Sequence, residues 1–204
     1  MTRTQAGSLC ASLSKHARQT LLIGFAVASL GGLSSVCAAG MEKPSAQFAW
    51  LQSLEGDWTL TRDQEGEAAR HPVIAPLVGA GRVALRYRLV GSKTTVQENI
   101  FPDTPREMAT MYHCADADCT RLIADHYCSL RNQPILQAAD SDVENTIRFE
   151  CDPTVAICSA RAAHLQTLTI ERIPDDPDHL TTRFAVHKDG KLADTLVFRF
   201  ERKR

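Results

Sequence analysis

Arg82-Val-Ala-Leu-Arg-Tyr-Arg-Leu-Val90, then Gly91-Ser-Lys93, then Thr94-Thr-Val-Gln-Glu-Asn-Ile-Phe101, reads as two strands joined by a turn. Val83, Leu85, Tyr87 and Leu89 alternate with Arg82, Ala84, Arg86 and Arg88. A period of two marks a half-buried strand, because successive side chains leave opposite faces of the ladder. The same period continues through 108–114, 120–128, 145–151, 164–173, 179–187 and 192–202. Lys188-Asp-Gly-Lys191 is a strong hairpin signal, since two consecutive residues at positive φ suit Asp-Gly. Upstream, Phe48, Leu51 and Leu54 at three-residue spacing predict a short helix or 3₁₀ turn. Gly56 ends it, and Trp58, Leu60 and Arg62 begin a strand. The stretch 63–81, with Pro72, Pro76 and three glycines, reads as a loop carrying a short apolar patch at Val73-Ile74.

Short strands joined by tight turns, with no long helical pattern among them, predict an all-β fold. Its form is an antiparallel up-and-down meander of about eight to ten strands closed into a barrel, preceded by a short N-terminal helix. Closure removes the unpaired edges that an open meander leaves. An open sandwich is the rival. No Gly/Ser/Pro linker interrupts the run, so one domain is expected over 40–204.

The first 39 residues belong to a different object. They contain Arg3, Lys15 and Arg18 but no acidic residue, then the apolar run 20–36, then Cys37-Ala-Ala-Gly40. A basic region, an apolar region and a small-residue site make up a secretory signal peptide, with cleavage after Ala38 or Ala39. The apolar run carries Gly24, Gly31 and Gly32 and falls short of the roughly 20 residues that span a bilayer. An uncleaved anchor is the alternative; a lipoprotein acylated at Cys37 is disfavoured by Val36. The expected location is the periplasm or outside the cell. No integral span is expected after cleavage.

The whole chain has 23 Lys+Arg against 24 Asp+Glu, and removing the leader leaves 20 against 24. A net charge near −4 gives no support for a nucleic-acid partner, whose phosphates require cationic neutralisation. Loss of Cys10 and Cys37 leaves five of seven cysteines, in a compartment where disulfides form. Cys114-Ala-Asp-Ala-Asp-Cys119 and Cys151-Asp-Pro-Thr-Val-Ala-Ile-Cys158 span turns, so two local disulfides are expected, Cys114–Cys119 and Cys151–Cys158. Four and six intervening residues suit a zinc knuckle poorly, and the histidines form no metal signature; no metal is expected. Cys128 remains as a free thiol. It shares a strand face with His126, which permits a Cys–His pair, though no third activating residue is marked.

The segment Phe48…Leu54-Glu-Gly56-Asp-Trp58 resembles the first motif of the lipocalin and calycin group, in which a short helical turn leads to Gly-x-Trp on the first strand. The resemblance implies a lipocalin-like barrel with Trp58 closing one end and an arginine of the last strand, Arg199 or Arg202, packed over it. A second likeness runs through Glu98-Asn-Ile-Phe101, Thr104-Pro-Arg-Glu-Met108, Met111-Tyr-His113, Asp125-His-Tyr-Cys128 and Asn132-Gln-Pro134. It continues through Asp178-His-Leu180, Asp189-Gly-Lys191 and Val197-Phe-Arg-Phe-Glu-Arg202. These segments resemble a family of small secreted bacterial proteins of undetermined function. That family carries a histidine where this chain has Arg106, and it lacks the paired cysteines.

Glu98 falls on the apolar face of its strand, with Val96 and Ile100, and a buried carboxylate needs a partner or a raised pKa. Arg86, Arg88, Arg148 and His126 are the candidate partners. His126 shares an apolar face with Leu122, Ala124 and Cys128. Tyr87, Glu98, Tyr112, His126 and Asn132 are the candidate ligand-binding residues, because a few polar anchors in an apolar pocket are the usual composition of such a site. The leading expectation, carried by the resemblance, is a barrel that binds a small apolar or amphipathic ligand in its interior without catalysis and without a cofactor. Three alternatives stand beside it. One is an enzyme using Glu98, His126 or Tyr112; another is a haem-binding barrel with His126 as the axial ligand. The third is an envelope structural or interaction protein.

Overall fold

The computed structural model describes residues 43–141 and 143–204. The expected signal segment, with Cys10 and Cys37, lies outside the described residues. A short helix α1 (Pro44–Ser53) precedes strand β1 (Gly56–Leu60). Helix α2 (Gly66–Arg70) and a 3₁₀ turn (Ala75–Leu77) follow. The chain then runs through β2 (Val83–Val90), β3 (Thr95–Ile100), β4 (Met108–Cys114), β5 (Leu122–Tyr127) and β6 (Ile135–Ala139). It ends with β7 (Thr146–Cys151), β8 (His164–Ile173), β9 (Asp176–Lys188) and β10 (Lys191–Arg202).

Every strand pairs antiparallel with its sequence neighbour, and β1 also pairs with β10 to close the barrel. The open sandwich is thereby excluded. Three elements differ from the sequence reading. Strand β6 has five residues with Ile135 exposed and Leu136 buried, too short for alternation to mark it. The stretch 63–81 is folded rather than loop: Ala68, Ile74 and Leu77 are buried there. Burial of these side chains, not local periodicity, explains why two very short helical turns form.

The seam between β1 and β10 is brief, pairing Trp58 with Arg202, Thr59 with Glu201 and Leu60 with Phe200. Gln64 extends it without being a strand. Its Nε2 donates to the Arg199 carbonyl at 2.6 Å, and its Oε1 accepts from the Arg199 N–H at 3.1 Å. Both backbone groups of Arg199 that face this side are thus satisfied by one side chain.

Arg202, not Arg199, lies over Trp58, with its guanidinium carbon 4.3 Å from the ring centroid. It also donates to the carbonyls of Glu55 (2.8 Å) and Ser53 (3.2 Å), while the Trp58 indole donates to Leu54 (3.0 Å). The orphan carbonyls at the end of α1 are therefore bonded to the barrel. Gly56, at φ +140°, gives Arg202 the room to reach them: a Cβ there would stand 3.1 Å from its Nη1. Arg199 turns instead to the carbonyl of Asp63 at 2.8 Å.

The two disulfides join Cys114 to Cys119 and Cys151 to Cys158, with Cα separations of 4.7 and 5.5 Å. Neither spans directly opposed strand residues. Cys114 faces Leu122 across the ladder, with Cys119 in the intervening turn at φ 51°. Cys158 lies in a 3₁₀ turn (Ala156–Ser159) after β7. Loops this short stabilise by about 2–3 kcal/mol each on a loop-entropy argument. No helix among the described residues is long and apolar enough to cross a membrane.

Candidate functional site

Within the barrel, the inward alternation of four neighbouring strands places one residue from each in a single row. Tyr87 of β2 stands opposite Glu98 of β3, Glu98 opposite Thr110 of β4, and Thr110 opposite His126 of β5. Directly opposed residues have Cβ atoms about 4.5–5.5 Å apart, so short polar side chains can bond along the row. Tyr112, two residues beyond Thr110, faces the same interior. All five are buried.

Glu98 is the hub. Its Oε2 accepts from the hydroxyls of Tyr87 (2.7 Å) and Tyr112 (2.9 Å), and its Oε1 accepts from Thr110 (3.2 Å). The partners are hydroxyls rather than the expected arginines. Arg86 and Arg88 both bind Asp57 (2.9 and 2.7 Å), and Arg148 pairs with Glu150. Burial raises the Glu98 pKa, and the three hydrogen bonds oppose that rise. Both tyrosines are pushed well above their ordinary range, chiefly by burial and then by the adjacent carboxylate.

Thr110 also lies 3.0 Å from His126 Nδ1. A threonine has one hydroxyl proton. With that proton on Glu98, Thr110 must accept from His126, which fixes the ring as the Nδ1–H tautomer. Nε2 is then a bare lone pair. It is buried and has no hydrogen-bond partner among the described residues. Burial lowers the His126 pKa from 6.5 to about 4, so the ring is neutral at neutral pH. If Glu98 takes up a proton, the hydrogen bonds can reverse: Glu98 donates to Thr110, Thr110 to Nδ1, and Nε2 carries the hydrogen. The row is thus able to pass a proton between His126 and the carboxylate.

His126 is the member of the row that reaches open space. It lines a cavity of about 160 Å³ together with Met108, Cys128, Leu165, Phe184 and Leu196. Arg106 and Asp194 add charged groups to the lining. The His126 and Phe184 rings are 6.4 Å apart. Cys128 is a half-buried free thiol whose pKa is raised by burial. Tyr87, Glu98 and Tyr112 are enclosed behind His126 and do not line the cavity. Asn132 stands behind its wall, donating to the carbonyl of Ala163 at 2.8 Å, while its Oδ1 has no partner among the described residues.

Aromatic rings pack elsewhere in the interior. Phe198 packs against Phe101 (5.1 Å), Phe184 (5.8 Å) and Phe200 (6.3 Å), and Tyr112 against Phe149 (5.3 Å). A larger groove of about 460 Å³, lined by Trp50, Pro174, His179 and Arg202, lies at the Trp58 end.

Thr110 and Met108 escaped the sequence reading, although both share the inward face of Tyr112. A threonine in an otherwise apolar inward series is the signal that would have exposed the first. Compared with protein-family models, curated proteins and solved structures, the chain matches none.

Proposed function

We propose that this is an exported binding barrel whose ligand is a small, largely apolar molecule bearing one hydrogen-bond donor, held in the His126 cavity without chemical conversion. The observation that carries this reading is the unpartnered, buried Nε2 of His126, a residue that lines an otherwise mainly apolar cavity. A buried acceptor left without a partner costs about 1–3 kcal/mol, which a donor-bearing ligand would recover. The cavity lies below the roughly 300–1,000 Å³ of drug-sized sites, so the ligand is small or is the head of an amphiphile whose tail lies outside. The leader sequence and the two disulfides support export to an oxidising compartment.

A proton-transfer enzyme is the second reading, favoured by the Glu98–Thr110–His126 chain. Binding is preferred because His126 alone of the expected catalytic residues can meet a substrate in the cavity.

Phenol and toluene have nearly the same shape and differ in one donor. Calorimetric titration should show phenol bound roughly tenfold more tightly, the equivalent of one hydrogen bond. Phe in place of Leu196 should fill the cavity and abolish both. Equal affinities for the two probes would overturn the hydrogen-bonded mode. Binding of neither, with no molecule retained in native mass spectrometry, would overturn the reading itself. Turnover of a bound molecule would establish the enzyme.

A further inference from the structure

We infer that Met108, His126 and Cys128 form a binding site for one monovalent copper ion on the wall of this cavity. The inference goes beyond the organic-ligand reading: it uses the same cavity but requires a different occupant.

Register brings the three together. Thr110 stands opposite His126 and Ala109 opposite Tyr127, so the inward alternation of both segments points Met108 and Cys128 to the same side as Thr110 and His126. Met108 opens β4, and Cys128 directly follows the last residue of β5, two residues from His126. All three line one cavity. A thioether, a thiol and an imidazole nitrogen are the soft donors that select Cu(I) over hard divalent ions.

His126 is prepared as a ligand on both sides. Nε2 is buried and has no partner among the described residues, and His126 lines the cavity. Nδ1 is held at 3.0 Å by Thr110, which is itself anchored to Glu98. A metal-bound histidine generally needs such an outer partner to fix its tautomer and ring orientation. The row of hydroxyls leading to Glu98 is therefore the outer shell of the site.

Charge distinguishes the metal. Binding breaks the Cys128 S–H bond, forms a Cu–S bond and releases the proton to water, with no change of oxidation state. Cu(I) with one thiolate is neutral and needs no further counter-charge in a pocket whose charged lining residues, Arg106 and Asp194, are opposite in sign. Zn(II) with one thiolate would retain a positive charge there. Zinc also prefers four nitrogen, sulfur or oxygen ligands, and no group of three or more His, Cys, Asp or Glu side chains suited to a metal occurs among the described residues. Cys128 is available because the other four described cysteines are paired.

The test is anaerobic competition between the purified protein and bicinchoninate for Cu(I), in wild type, Met108→Leu and Cys128→Ser. Leucine replaces methionine with little change of volume, so circular dichroism melting of the metal-free variant should match the wild type. The wild type should take up one equivalent. Both variants should bind more than about a hundredfold more weakly, since even outer-shell changes cost about 10–100-fold. Failure of the wild type to compete would overturn the site, as would wild-type affinity in either variant or equal retention of Zn(II). Phenol titration of Met108→Leu separates the two readings. Retained phenol binding with loss of Cu(I) supports the copper site. Unchanged binding of both overturns it and leaves the organic-ligand reading standing.

Discussion

Two walls of the same barrel solve burial in opposite ways. The wall from β2 to β5 carries Tyr87, Glu98, Thr110, Tyr112 and His126 inward, and the wall from β8 to β10 carries Leu168, Ile170, Leu180, Phe184, Phe198 and Phe200. Both follow the same alternation and both are buried. On the apolar wall, side-chain volume does the stabilising, through ring contacts converging on Phe198. On the polar wall, each group is tolerable because its neighbour bonds to it. The row ends at His126, whose Nε2 has no partner among the described residues, and His126 is the member that lines the cavity. Thr182 provides the control: its buried hydroxyl also lacks a partner among the described residues, but it lines no part of the cavity around His126. An unpartnered group suggests a ligand only where there is space for one.

The largest expected effect lies on the apolar wall. Phe198→Ala should destabilise the protein by about 3–5 kcal/mol in chemical denaturation, and a loss under about 1 kcal/mol would deny that wall its central place. Tyr87→Phe removes one donor from Glu98 and should cost about 1.5–3 kcal/mol, the usual range for a bond to a charged group. A neutral result would mean that Glu98 is held in its protonated form.

A graded effect should follow from pH in the metal-free protein. His126 is depressed in the folded state, from 6.5 to about 4, so the unfolded chain binds more protons between those values. Its contribution is full above pH 6.5 and is lost as pH falls toward about 4. Glu98, raised above 4.5, acts in the opposite sense: its contribution is full below 4.5 and lost as pH rises through its folded value. Replacing His126 by Gln should flatten the acid side of the stability profile. An unaltered acid slope would remove His126 from the buried neutral state. Smallest of all, Thr182→Val should stabilise the protein by about 1 kcal/mol, because it replaces an unbonded buried hydroxyl with a methyl of similar size. A large loss would reveal a hidden partner and weaken the contrast between the walls.

The strands of both walls were readable because alternation is a property of single strands. Glu98 stood out for the same reason, as a charge on an apolar face. Its partners did not, since they depend on register between strands, which no single strand records. Arginine is the habitual counterpart of a carboxylate, yet period two places Arg86 and Arg88 outward, opposite in direction to Tyr87. Thr110 becomes meaningful only when its position beside both Glu98 and His126 is known. Arg199 and Arg202 both lie in β10, and only the β1–β10 register distinguishes which of them overlies Trp58. Strand β6 and the turns at 63–81 were hidden by brevity: what holds them is packing against the completed barrel.

The seam between β1 and β10 carries a consequence for how the molecule forms. Arg202 bonds to Glu55 across 147 positions of sequence, whereas each of the other strand pairings joins consecutive segments. Local hairpins can form early, but the ring has nothing to close upon until its last strand exists. Long-range pairing of this kind slows folding, because the intervening chain must be ordered before the contact repays it. The barrel is therefore a late event in the life of the chain, and Arg202 acts as its latch.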